Sequence, residues 1–216
     1  MQKEIRILHI DTQKTWRGGQ QQAFYLHQGL IAKNYTSIMI CQPDSPMAKR
    51  CLEQKLPFQE IKMRNEADLI AASKISALIK KNQYNIIHCH SAHAQMLGII
   101  IKLFFPKLIL IGSRRVDFPI RSNFFSKFKY NSSLLNKIVC ISQNIKNVML
   151  SSKISPEKLH LIHSGINTHK FENLEWEIGV GRKWDKPDNK DLGFYPIVSL
   201  KFGIVNFPEK NLQYNY

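Results

Sequence analysis

The chain has 216 residues, 44% of them hydrophobic, and 31 Lys+Arg against 16 Asp+Glu give it a formal net charge of +15. That is the composition of an ordinary globular protein, long enough for one large domain or one and a half, each with a sizeable core. The longest apolar region, Met96 to Ile111, is interrupted by Lys102, Pro106 and Lys107 and is too broken to span a bilayer. The charged start, Met1 to Arg6, with no apolar run after it, argues against a signal peptide.

Ile5 to Ile10 reads as a buried first strand, followed by the loop Asp11 to Arg17, the pair Gly18-Gly19 and a helix over Gln20 to Lys33. Thr36 to Cys41 is a second strand. Ser45 to Lys55 is a short helix with a serine cap and Pro46 in its first turn. Phe58 to Met63 alternates like a strand, and Asp68 to Lys81 carries helical spacing through Leu69, Ile70, Ile75, Leu78 and Ile79. Strands follow at Ile86 to His90, Lys107 to Ser113, Lys137 to Ser142 and Leu159 to His163. Helices stand between them at His93 to Phe104, Asn123 to Leu135 and Gln143 to Leu150. Short apolar strands alternating with helices predict an α/β fold, a Rossmann-like parallel sheet covered by helices on both faces. Beyond Glu172, glycine and proline recur every few residues, leaving one strand-like stretch, Tyr195 to Phe207. The domains read as 1–171 and an irregular tail, 172–216.

Charge is unevenly placed. Residues 1–68 carry ten basic and seven acidic residues, residues 69–156 carry thirteen and one, and residues 157–216 carry eight of each. The positive middle favours an anionic partner, such as nucleotide phosphates, a lipid pyrophosphate or an anionic membrane surface. No helix-turn-helix, zinc finger or RNP signature is present, so nucleic acid is not expected. The cysteines Cys41, Cys51, Cys89 and Cys140 lack CxxC spacing and read as reduced core residues of a cytosolic protein.

In a parallel sheet the ligand sits outside the carboxyl ends of the strands. Gly19, His90, Arg114, Arg115, Ser142 and Gly165 all follow strand ends and could line one edge. Gly18 and Gly19, at a strand-to-helix junction, suit a phosphate held on a helix N-terminus or simply a tight turn. Arg114, Arg115 and Asp117 form either an anion site or an internal Arg–Asp pair. His88 and His90 share a strand face and could share an ion, but no carboxylate or further cysteine stands nearby, and no metal is expected. Phe118 to Tyr130 interleaves Phe124, Phe125 and Phe128 with Lys127 and Lys129. It suits a membrane interface with anionic lipid, or a core helix with solvated lysines.

These pieces, in this order, resemble the N-terminal half of a GT-B glycosyltransferase of the family 4 type. The resemblance is carried by Leu8-His9-Ile10 through Trp16-Arg17-Gly18-Gly19 and Gln20-Gln21-Gln22; by Ile86-Ile87-His88-Cys89-His90; by Ile138 to Ser142; and by Lys158 to Asn167, ending at Phe171. It implies a retaining sugar transfer from a nucleotide-sugar donor to a lipid-linked or surface-polysaccharide acceptor, with no metal or other cofactor. It also implies a cytoplasmic location, peripheral on the inner membrane face. Gly18 and Gly19 would meet the donor diphosphate or the acceptor, and catalytic His90 the transferring sugar. Trp16, Arg114, Arg115 and Asp117 would meet the acceptor, and Phe124, Phe125, Lys127, Phe128 and Lys129 the membrane. The family's donor-binding second domain is missing from the pattern. Phe207-Pro208-Glu209-Lys210-Asn211 resembles only its opening, and Asn206 stands where an arginine is expected. The resemblance therefore implies a chain truncated before that domain, inactive alone and dependent on a separate second domain. The alternative expectation is a free-standing module binding an anionic or lipid-linked glycan at the membrane.

Overall fold

A computed structural model describes residues 4–120 and 129–165, together with the backbone strands 174–184, 191–202 and 212–214. The chain divides into two compact units, Met1–Ser164 and Gly165–Tyr216. In the first, β1 (Arg6–Ile10), β2 (Thr36–Cys41), β3 (Phe58–Glu60), β4 (Ile86–Cys89), β5 (Ile109–Arg114), β6 (Lys137–Cys140) and β7 (Leu159–Leu161) form one sheet. Its order is β3-β2-β1-β4-β5-β6-β7, and every pairing is parallel. The connecting helices are α1 (Gly18–Ala32), α2 (Pro46–Glu53), α3 (Leu69–Asn82), α4 (Ala92–Phe104) and α5 (Gln143–Ser151).

Strand alternation sorts the core into two layers. Ile40 joins a large cluster with Leu8, Ile10, Ile87 and Leu110 and the inner faces of α3, α4 and α5. Its neighbours Met39 and Cys41 join a smaller one with Ala23 and Phe24 of α1 and Met47 and Cys51 of α2. α4 approaches the sheet closely because Gly98 has no side chain. A Cβ there would lie 2.6 Å from Leu110 Cδ1 and 2.9 Å from Cys89 Sγ. All four cysteines are free and buried, and burial pushes the Cys41 and Cys51 thiols up to about 12. Among the described residues no helix is long and apolar enough to cross a membrane.

The helix expected to reach Leu135 ends at Asn131. Ser132 Oγ accepts from the Leu134 amide at 3.3 Å and turns the chain, so that Leu135 enters the core. Most of that segment, 121–128, with Phe124, Phe125, Lys127 and Phe128, lies outside the described residues. In the second unit, where one strand over Tyr195 to Phe207 is expected, the described residues form three: β8 (Leu174–Trp184), β9 (Asp191–Phe202) and β10 (Leu212–Tyr214), in an antiparallel sheet. Pro196 stands opposite Val180 of β8, outside the Leu200–Phe202 stretch that pairs with β10.

Candidate active site

The chain leaves β1 for β2 and β3, then returns to β4 on the other side of β1. That reversal opens a crevice at the carboxyl ends of β1 and β4, where open parallel sheets bind ligands. α1 points its N-terminus into this region. Its N-cap, Arg17, is extended and offers no capping side chain, whereas Ser45, Asp68, Ser91 and Ser142 cap α2, α3, α4 and α5. No side chain is therefore spent on the first amides of α1, which meet the positive end of the helix dipole. Beside Gly18 the space for a Cβ is empty. A Cβ on Gly19 would touch Arg115 Cδ at 3.4 Å.

Arg115 ties this turn to a row of histidines. A guanidinium only donates; its Nη2 stands 3.0 Å from His90 Nδ1 and its Nη1 3.2 Å from the His90 carbonyl. His90 must then carry its proton on Nε2, which donates to His9 Nδ1 at 2.9 Å. His9 is left with a protonated Nε2 that is buried without a partner. Parallel register makes the row: His9 pairs with His88 across β1 and β4, and His90 lies two residues beyond. His88 Nε2 meets Ser113 Oγ at 2.8 Å. His27, reaching in from α1, lies between Ser37 Oγ at 2.7 Å and the Pro57 carbonyl at 2.9 Å. Burial holds His9 and His90 well below the ordinary imidazole value, and the neighbouring imidazoles and Arg115 add to it. Burial takes His88 to about 3 and His27 to about 4. All four are neutral at neutral pH. Ligand atoms of His9, His88 and His90 lie within 4.8 Å of one another, a spacing that could hold a metal ion. The His9–His90 hydrogen bond and the Arg115 cation on His90 both oppose that use.

Asp11, fully buried under the same turn, accepts from the Gln13 amide at 3.2 Å and Gln20 Nε2 at 3.5 Å through one oxygen. The other oxygen has no partner. Burial raises its carboxyl to about 6 against the opposing pull of those hydrogen bonds and Arg115.

Of the residues expected to meet an acceptor, Trp16 is half-buried. It donates to Gln21 Oε1 at 3.1 Å, packs edge-on against Phe24, and lies under Arg50, whose Cζ is 4.1 Å from a ring centroid. Asp117 is exposed. Arg114 is buried, with its guanidinium donating to Tyr130 Oη at 3.1 Å and the Phe118 carbonyl at 2.5 Å, so it orders its own loop. Lys129, expected on a membrane face, is instead buried and paired with Glu66 Oε2 at 2.5 Å. Its ammonium reached that carboxylate across a loop 63 residues away in sequence, which no local pattern shows.

Sequence reasoning missed His9, Asp11, His27 and most of the walls of a cleft of about 600 Å³ beside the α1 turn. Its lining includes Lys14 and Arg17 from the β1–α1 loop, Lys62 and Arg64 from the β3–α3 loop, and His93 from α4. A second cavity, of about 650 Å³, lies at the opposite, amino edge of the sheet among Arg6, Tyr84, Phe104 and Leu108.

The seven-stranded parallel sheet with its crevice at the switch point is Rossmann-like. The family model for Glycosyltransferase Family 4 matches residues 16–170, and the chain belongs to that family. No curated protein sequence matches it significantly. Its fold is shared with a glycosyltransferase from Rickettsia africae ESF-5 at 22% identity and TM-score 0.68, over 79% of this chain and 45% of that one. The Anabaena Alr3699/HepE complex with UDP-glucose gives 13% identity and TM-score 0.66, over 78% and 46%. The apo lipopolysaccharide outer core galactosyltransferase WaaB gives 11% and 0.55, over 74% and 45%. The chain thus spans less than half the length of these solved structures and corresponds to the first half of a GT-B glycosyltransferase.

Proposed function

We propose that the chain is the acceptor-side half of a retaining glycosyltransferase. It receives a sugar from a nucleotide-sugar onto a lipid-linked or surface-polysaccharide acceptor at the inner membrane face. The observation that carries this reading is the uncapped α1 N-terminus at Gly18-Gly19, set against Arg115 and His90 at the switch point. Exposed amides at a helix start favour a diphosphate, and Arg115 adds a cation beside them. Anabaena HepE was solved with UDP-glucose, which supports a nucleotide-sugar as the donor here.

In this reading Arg115 turns toward the diphosphate and releases His90 Nδ1. A neutral imidazole, held by His9 behind it, then accepts a hydrogen bond from a hydroxyl of the sugar being transferred. Trp16 and Asp117 border the acceptor. Transition-state charge on the leaving diphosphate would be met from both sides only with a donor-binding domain, and losing one such group costs about 10²–10³ in rate. The isolated chain is therefore inactive, and a second domain completes the site.

Amide hydrogen exchange on the chain, with and without UDP-glucose, tests this alongside a sugar-release assay. The expected result is slowed exchange at Gly18 and Gly19 without turnover. Slowing confined to the amino-edge cavity, or turnover by the chain alone, would overturn it.

A further inference from the structure

The cleft beside α1 is assembled from two loops that sequence keeps almost 50 residues apart, and one buried side chain clamps them together. Gln42, 3% exposed, donates through Nε2 to the Thr12 carbonyl at 3.3 Å and the Met63 carbonyl at 2.6 Å, and its Oε1 accepts from the Met63 amide at 3.1 Å. Thr12 Oγ1 meets Ser91 Oγ at 2.8 Å, and His93 Nε2 donates to the Asn65 carbonyl at 2.5 Å, which ties both loops to the start of α4. The clamp holds Lys14 and Arg17 on one wall and Lys62 and Arg64 on the other.

Among the described residues none of these four cations makes an ion pair. Arg64 lies near the carboxylate of Asp68, whose oxygens are engaged by the Arg64 and Ala71 amides at the start of α3. Glu66 on the same loop is occupied by Lys129. Among the described residues no acid lines the cleft, and no aromatic ring other than the His93 imidazole does so. Hydroxyl pairs of a neutral sugar are held by carboxylates and amides, and its apolar face by aromatic rings. Of the two amides in this lining, Gln42 is engaged by the Thr12 and Met63 backbone and Gln13 stands beside four cations, an array of donors that suits phosphate oxygens.

We infer that the acceptor taken by this cleft is a phosphorylated saccharide, selected by its phosphate charge through Lys14, Lys62 and Arg64, with Arg17 shared toward the α1 turn. This rests on the transferase reading above for the word acceptor, but the site stands on its own geometry. Its volume of about 600 Å³ falls within the range for a small ligand.

The test is calorimetric titration of the full chain with glucose 1,6-bisphosphate, maltose and UDP, repeated on the K62Q/R64Q variant and on the charge-conserving K62R/R64K variant. Both positions are exposed, and thermal melting checks that each variant folds. Glucose 1,6-bisphosphate should bind while maltose does not. K62Q/R64Q should weaken the bisphosphate about 100-fold, at about tenfold per lost charge-assisted contact, while K62R/R64K retains it. UDP binding should be equal in wild type and K62Q/R64Q, which separates acceptor phosphate from donor diphosphate. Maltose binding as tightly as the bisphosphate, or K62Q/R64Q leaving the bisphosphate affinity unchanged, would overturn the inference. So would a loss of UDP binding parallel to that of the bisphosphate. Bisphosphate binding at Lys62 and Arg64 together with no effect of UDP-glucose at Gly18-Gly19 would sink the transferase reading alone.

Discussion

Four imidazoles buried neutral within one sheet face make the fold sensitive to acid, and the sign follows from their lowered pKa values. A histidine at 6.5 when unfolded and lower when folded takes up a proton on unfolding. Its contribution is complete above pH about 6.5 and is withdrawn as pH falls toward the folded value. For His27, folded at about 4, the full contribution is about 3 kcal/mol. Asp11 works in the opposite sense. Its carboxyl, raised to about 6, costs stability above that pH, and the cost is relieved as pH falls toward 4. At pH 5 His27 and His88, folded at about 4 and about 3, each take up close to one proton on unfolding while Asp11 releases close to one. The net uptake is about one proton, or about 1.4 kcal/mol of stability per pH unit, and His9 and His90, also held well below 6.5, add to it in the same sense. Against a total of about 5–15 kcal/mol for a domain, that slope removes a measurable share of the margin over one or two units. Urea unfolding followed by circular dichroism between pH 7.5 and 4.5 measures the slope. The variant H27Q, which keeps a donor for the Pro57 carbonyl, should lower the proton uptake by about one. A stability flat between pH 7 and 5, or an uptake unchanged in H27Q, would refute the reasoning.

Two packing predictions follow from the other sheet face. Gly98→Ala places a methyl group 2.6 Å from Leu110 Cδ1 and should cost about 1–3 kcal/mol despite alanine's better helix propensity, seen as a lowered melting temperature. Asn136→Ala removes the oxygen that accepts from the Leu110 amide at 2.8 Å and from the Lys102 ammonium. Leaving the amide unpaired in the core should cost about 2 kcal/mol in urea unfolding, and an unchanged midpoint would show that water replaces the oxygen.

Much of the architecture was legible because it rests on local chemistry. The apolar strand runs, Ser45 and Pro46 at the start of α2, Asp68 before α3 and the Gly18-Gly19 junction all signal their elements without help from distant residues. Strand boundaries drifted where pairing partners set them. β3 stops at Glu60, the last residue paired with β2, although its apolar alternation runs on to Met63. In the second unit, the punctuation by glycine and proline hid β8, which exists through its pairing with β9 and not through its own pattern.

The site divides along the same line. That histidine, arginine and a glycine turn meet at the carboxyl edge of a parallel sheet follows from the amino-acid order, because strand ends in alternating β/α order converge there. Tertiary structure alone decided which of them face one another. Arg115 reaches His90 and the Gly19 turn while its neighbour Arg114 is buried against Tyr130 and Phe118. Likewise the middle segment, with thirteen basic residues and one acid, dominates the charge count. Yet the cationic cleft beside α1 draws its charges from residues 14–64, in a segment whose net charge is only +3. Net charge sums along the chain, whereas a ligand feels charges in space, and it was the fold that brought Lys14, Arg17, Lys62 and Arg64 together around Gln42.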